Sequence, residues 1–407
     1  MRVAVVNNFF PPRVGGSAHL SDALARGYAA AGHEVLVLTV SYKDAPEHET
    51  RSGYRVVRLP GWTLPKLPLP ISFDIGFSSR PSLPRRIRTI LDEFAPDVIH
   101  QHGQFFDLTW ASGLYARKRG IPTLLSVHTR LESPRGLFKY GFQALDAMLV
   151  APILRRFKPR FVVMDVHMEK YIQKRYRRAI SGLSYIPVGV NVDDISRGDG
   201  AQVRERLGLV GRPMILSIGH VIPLRDRVRL VRALPRVLEK VPDAVVVVLG
   251  AIHYDAFLRL ADQLGVRHAI RTVGAVPKAE IPDYLAAADV ETHDLDGLGL
   301  GTASLESMAA GCPVVAAVRA DNFPGVELVD REHLYLSQPG DDEDLANAII
   351  EVLADPAGAR ATVGVGGQRL VQEKFQISSV INQHLTTLDE LAPHRSRSAD
   401  GDVSTRR

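Results

Sequence analysis

Short runs of β-branched residues, separated by segments of helical period, recur along this chain in two successive series. That pattern restricts the fold to parallel sheets covered by helices on both faces. In the first series the runs fall at residues 3–6, 35–39, 54–59, 98–100, 123–127, 161–163 and 184–186. The first two bracket a segment with apolar Leu20, Leu24, Tyr28 and Ala31 at helical spacing, closed by Gly32, so residues 3–39 read as one βαβ unit. The alternation stops at residues 186–193, a stretch of turn formers. It resumes with runs at 214–219, 244–250, 270–273 and 290–292, interleaved with helical segments at 228–240, from 256 onward, and at 278–288.

A chain of 407 residues is too long for one ordinary domain and suits two of roughly 180 to 200 residues. We expect an α/β fold of two doubly wound, Rossmann-like domains facing each other across a cleft. The first spans residues 1–190 and the second 191–375, followed by a helical segment 376–392 and a basic tail 393–407 that reads as disordered. In such folds ligands bind beyond the carboxyl ends of the strands, which places the expected site in the cleft.

Composition excludes several function classes. The net charge is +5, and the tail holds Arg395, Arg397, Arg406 and Arg407 against Asp400 and Asp402, so about two of the excess charges belong to it. No nucleic-acid recognition module is present and no aromatic residues interleave with a basic stripe, so no nucleic-acid partner is expected. Cys312 is the single cysteine. It cannot form an internal disulfide, and it reads as a small buried thiol of a protein in a reducing cytoplasm. The amino terminus enters a strand directly, and no uncharged stretch approaches the roughly 18 residues of a membrane span. A soluble or at most peripheral protein is expected.

The most chemically informative stretch is Gly299-Leu300-Gly301-Thr302-Ala303-Ser304-Leu305-Glu306. A glycine-rich turn opening a short helix leaves backbone N–H groups unpaired at the positive end of the helix dipole, where a diphosphate can sit. Glu306 lies about one turn into that helix. A carboxylate repels phosphate but accepts hydrogen bonds from ribose hydroxyls. The local chemistry is that of a nucleoside diphosphate carrying a sugar.

From about residue 1 to 375 the order of motifs resembles glycosyltransferase family 4, the retaining GT-B enzymes that move a sugar from a nucleotide sugar to an acceptor. The resemblance rests on the early Gly15-Gly16 loop, Asp97-Val98-Ile99-His100-Gln101-His102, Ser126-Val127-His128-Thr129, the 186–193 hinge, Gly219-His220, Val273-Gly274-Ala275-Val276 and the Glu306 helix. It implies that Gly15 and Gly16 close over the donor diphosphate, where glycine permits close backbone approach. It assigns the second-domain phosphate grip to Gly219, His220 and Arg225, with His220 in place of the family's first cation and Arg225 in place of its lysine. Arg225 can hold a diphosphate bidentately. The resemblance also sets His128 beside the transferring sugar, gives the backbone at Ala275 and Val276 to the base, and gives Glu306 to the ribose. The family's other glutamate falls on Leu298, and Asp294 or Asp296 stands close enough in sequence to reach the sugar instead. Asp321 and Asn322 read as solvated loop polars.

The reading implied for the chain is a metal-independent enzyme with no cofactor, a nucleotide sugar of UDP or GDP type as co-substrate and a hydroxyl compound as acceptor. His128 and Arg225 are its catalytic candidates. Arg225 and the N–H groups of Gly301, Thr302 and Ala303 face the negative charge that grows on the leaving diphosphate. Two other readings compete: a nucleotide-sugar epimerase of the same fold, and a silent nucleotide-sugar-binding partner subunit. The mixture of aliphatic and basic residues at 137–161 and 170–178 reads first as a solvated helix face and second as a peripheral contact with anionic lipid. The loop 60–84 is assigned to the acceptor side. In GT-B folds the closing helix crosses back to the first domain, which sets hinges at 187–193 and 375–378.

Overall fold

A computed structural model describes residues 1–13, 15–63, 76–78, 80–131, 136–195, 198–223, 225–292 and 299–392. The tail 393–407, most of the loop 60–84, and Asp294, Asp296 and Leu298 lie outside the described residues.

The first sheet is built from β1 (Arg2–Asn7), β2 (Glu34–Val40), β3 (His48–Arg51) and β4 (Tyr54–Leu59). After a small hairpin of β5 (Trp62–Thr63) and β6 (Gly76–Phe77), it continues with β7 (Val98–His102), β8 (Thr123–Ser126), β9 (Arg160–Val163) and β10 (Gly182–Tyr185). Its strand order is β10-β9-β8-β7-β1-β2-β4-β3, parallel throughout except for the edge strand β3, which pairs antiparallel with β4. The second sheet, β11 (Met214–Ile218), β12 (Val245–Leu249), β13 (Ile270–Gly274) and β14 (Val290–Glu291), has the order β13-β12-β11-β14 and is wholly parallel. A parallel pair, β15 (Val315–Ala316) and β16 (Tyr335–Leu336), continues it through a bridge between Glu291 and Val314.

Both sheets are buried on both faces, and the pleat divides each strand between two cores. In the second domain Met214, Leu216 and Ile218 face one cluster with Val245, Val247 and Leu249, whereas Ile215, Val246 and Val248 face the other. In the first domain Val3 and Val5 pack with Leu24 and Tyr28 of the Gly16–Ala30 helix, while Ala4 and Val6 pack with Ile87 and Leu91. Continuous apolar strands are the consequence, which is why the sequence shows runs rather than alternation.

Among the described residues the chain crosses between the domains at two stretches that meet at one place. Val190 N–H donates to the Phe375 carbonyl at 2.9 Å, and Ile377 N–H donates to the Val190 carbonyl at 2.9 Å. The closing Ile377–Leu391 helix then packs on the first domain, with Val380 and Leu388 in the same core as Leu24 and Tyr28. The architecture is two Rossmann-like domains face to face, the GT-B arrangement.

At the carboxyl ends of β11, β12 and β13 stand Gly219, Gly250 and Gly274, joined by Gly219 N–H to the Leu249 carbonyl and Gly250 N–H to the Gly274 carbonyl, both 2.8 Å. Gly250 has φ +139°, and a Cβ there would lie 2.3 Å from the Gly219 carbonyl oxygen. Backbone strain and overpacking both oppose any side chain at this point. Gly250→Ala is expected to destabilise the protein by about 2 kcal/mol or more, measured by urea denaturation; an unchanged midpoint would contradict the close packing of these two loops.

Candidate active site

Two helix tips carry glycine at the N-cap with no side-chain capping hydrogen bond. They are Gly15 before the Gly16–Ala30 helix and Gly301 before the Thr302–Ala309 helix. A Cβ on Gly15 or Gly16 would meet nothing within 4 Å, so the fold itself leaves space over this loop. The tips belong to opposite domains, and His19, one turn into the first helix, interacts electrostatically with Lys278 of the second domain. His19 is held below the ordinary histidine range, first by burial and then by that cation. The first-domain tip therefore faces the segment that follows Val276, itself half-buried against the second-domain core.

The second tip is framed by Leu300, buried in the core, and by Gly299. Glu306 is half-buried on the same helix, four residues beyond Thr302. A further part of the donor side is the turn after β11. His220 and Arg225 are exposed there and lie close enough to interact, and the His220 pKa is lowered by burial, then by His253 and by Arg225. His220 is thus biased toward its neutral form, and Arg225 is an exposed cation of this turn. Beneath it sits Arg227, which the motif reading did not single out. It is 2% exposed, adopts a left-handed backbone at φ 65°, and donates to the carbonyls of Gly219 at 3.1 Å and Arg225 at 3.0 Å. Two charged hydrogen bonds to backbone carbonyls fix the turn that presents His220 and Arg225.

On the first-domain wall, His128 follows β8 and shares a 2.9 Å hydrogen bond between its Nε2 and His102 Nδ1. His102 is in turn 4.4 Å, ring to ring, from His100, which bonds Tyr28 through Nδ1 and Ser126 through Nε2. His384 of the closing helix lies 5.3 Å from His100. The two-residue period of β7 places His100 and His102 on one face, a signal that the sequence carried and the reading did not use. Burial pushes all four imidazoles down, His128 and His384 to about 4. His128 is therefore neutral at pH 7 and offers a hydrogen bond rather than a charge.

Asn322 departs from expectation. Asp321 is exposed and paired with Arg319, but Asn322 is fully buried, and its carbonyl accepts from Val166 N–H of the first domain at 2.9 Å. A polar residue in a loop defaults to solvent unless a second domain covers it, which only the tertiary structure reveals. Cys312 is buried as expected, its thiol pushed up to about 12 by burial. Among the described residues no group of three or more His, Cys, Asp or Glu side chains is arranged to hold a metal ion, and no helix is long and apolar enough to cross a membrane.

The family model for Glycosyltransferase Family 4 matches residues 14–194, and that for Glycosyl transferases group 1 matches residues 201–367. Over 389 residues the chain is 29% identical to the GDP-mannose-dependent alpha-(1-6)-phosphatidylinositol monomannoside mannosyltransferase of Mycolicibacterium smegmatis, covering 91% of this chain and 94% of that one. Among solved structures, sucrose-phosphate synthase from Thermosynechococcus elongatus superposes with a TM-score of 0.72 at 21% identity, covering 96% of this chain and 98% of that one. Anabaena HepE in complex with UDP and glucose gives 0.70 at 17% identity, covering 96% and 100%. Both structural likenesses establish the fold.

The histidine array makes stability depend on pH with a defined sign. Folded pKa values below the unfolded value of about 6.5 mean that the unfolded chain binds protons first, so stability is intact above that pH and is lost as pH falls toward 4. His128 and His384, both held at about 4, each cost about 2 kcal/mol by pH 5. Urea midpoints are expected to fall from pH 7 to pH 5, less steeply in His384→Leu; a flat profile over that window would contradict the burial of these rings as neutral imidazoles.

Proposed function

As the chain belongs to glycosyltransferase family 4, we propose that this nucleotide-sugar glycosyltransferase is a retaining, metal-independent enzyme with GDP-mannose as its first donor candidate. The observation that carries the reading is the glycine-capped tip of the Thr302–Ala309 helix with Glu306 one turn in, the arrangement a diphosphate and a ribose require. The donor assignment draws on the relative from Mycolicibacterium smegmatis, whose name specifies GDP-mannose. UDP-sugars are the second candidate, since the Anabaena protein of the same fold holds UDP.

In this reading the bond between the anomeric carbon and the diphosphate oxygen breaks, and the acceptor oxygen bonds that carbon from the face the diphosphate leaves. The acceptor proton passes to a diphosphate oxygen, and configuration is retained. Arg225 and the N–H groups of Gly301, Thr302 and Ala303 stabilise the charge on the leaving group. Gly15 and Gly16 close over it from the first domain. His220 donates a hydrogen bond to the diphosphate, the Val276 backbone contacts the base, and His128, oriented by His102, contacts the sugar. Asp294 remains assigned to the sugar.

The acceptor we propose is a hydroxyl of a lipid-linked glycan, reached through peripheral membrane contact. Tyr140, Met148 and Leu149 are 69%, 74% and 40% exposed on one helical stretch of the first domain, with exposed Arg155, Arg156 and Lys158 following them. Apolar side chains flanked by cations suit an anionic lipid surface. Co-sedimentation with anionic vesicles tests that contact, and protein left in the supernatant contradicts it.

The donor reading is tested by thermal shift with GDP-mannose, UDP-glucose, ADP-glucose and dTDP-glucose. A ligand at 100 times its Kd adds about 2.7 kcal/mol of stability. One of the four is expected to raise the melting temperature of the wild type, and Glu306→Ala is expected to weaken it about 10-fold or more. No shift with any of the four contradicts the proposal.

A further inference from the structure

We propose that His253 is a second imidazole in the diphosphate site, set against the phosphoryl group that carries the nucleoside, an inference that rests on the nucleotide-sugar reading above. The strand order places it. In the second sheet β12 lies between β11 and β13. The loop leaving the carboxyl end of β12 therefore lies between the turn of His220 and Arg225, assigned to the diphosphate, and the Val276 segment, assigned to the base. His253 stands in that middle loop, four residues beyond the end of β12. Both it and His220 are exposed, and their rings meet edge to face with centroids 5.8 Å apart. Two solvent-reachable imidazoles from neighbouring strand ends thus share one spot where ligands bind in such folds.

The backbone holds the pair in place. Val221 N–H donates to the Ala251 carbonyl and His253 N–H donates to the Val221 carbonyl, both at 2.9 Å, so the two loops continue as a parallel bridge past the ends of their strands. Val221 itself is fully buried. Ala251 N–H donates to His220 Nδ1 at 3.2 Å. A backbone N–H only donates, so this bond keeps the proton of neutral His220 on Nε2 and leaves that ring one hydrogen bond to give. A diphosphate has more acceptor oxygens than one such bond can meet. His253 is the adjacent ring, and no group among the described residues hydrogen-bonds to its nitrogens.

The charges around the pair select the ligand group. The carboxylates of these three loops are engaged within the second domain: Asp226 accepts from Val228 N–H at 3.0 Å, Asp255 pairs with Arg259, and Glu280 lies 3.6 Å from Arg206. The same loops carry Arg225, Lys278 and the two imidazoles. Cationic side chains beside engaged carboxylates favour a phosphoryl group over a sugar hydroxyl.

Because His253 is exposed, substitutions there are expected to leave the unliganded melting temperature within about 2 °C of wild type. The experiment is calorimetric binding of GMP, GDP, GDP-mannose, UMP, UDP and UDP-glucose to the wild type and to His253→Gln, His253→Lys and His253→Glu. For the base that the wild type binds, the glutamine variant is expected to bind the mono-, di- and sugar-bearing nucleotides about 10-fold more weakly. The glutamate variant binds them more weakly still, and the lysine variant binds at or above wild-type affinity. Wild-type affinity in the glutamine variant, a glutamate variant no weaker than the glutamine one, or a loss that spares the monophosphate overturns the role of His253 and leaves the donor reading intact. Wild type that binds none of the six overturns both.

Discussion

Two backbone hydrogen bonds, from Val190 to Phe375 and from Ile377 to Val190, tie together the only two described stretches of chain that pass between the domains. Val192 N–H adds a third contact to Gln376 Oε1 at 3.1 Å. Each domain has its own cores, so neither needs the other to bury its sheet. They are joined by this crossing, by the closing helix that carries Val380, His384 and Leu388 into the first domain, and by the hydrogen bond from Val166 N–H to the Asn322 carbonyl. Everything in the candidate site depends on it, since the two helix tips are useful to one ligand only while the crossing holds the strand ends facing.

Within that frame the site divides its work by physical type. The second domain supplies backbone N–H groups and Arg225, suited to a charged leaving group, and supports them from beneath with the buried Arg227. The first domain supplies neutral imidazoles. His128 is kept uncharged by burial and by His384, which suits it to the sugar contact proposed for it.

Much of the fold was legible because both sheets are buried on both faces. Runs such as 214–219 and 244–250 have no reading other than interior strands once helical segments separate them. The two-residue strand β16 and the polar edge strand His48–Arg51 were not distinguishable, since their pairing depends on neighbours rather than on pattern. In the site, the glycine turns at 15–16, 219 and 299–301 were legible because glycine marks backbone that a ligand or another loop approaches closely. His102, Arg227 and Asn322 were not. Their roles arise from being covered by other elements, and a histidine, an arginine or an asparagine in a loop looks solvated until the covering element is in place. The alternation of His100 and His102 within an apolar strand was the one local signal that could have exposed part of this arrangement.

The central claim is that one nucleotide sugar is held between the two glycine-capped helix tips. Hydrogen exchange measured by mass spectrometry, with and without GDP-mannose or UDP-glucose at saturation, tests it most directly, because the N–H groups in question are themselves the reporters. The account predicts slowed exchange in peptides covering residues 15–19 and 299–306 together. Protection confined to other segments, or to one tip alone, would contradict it.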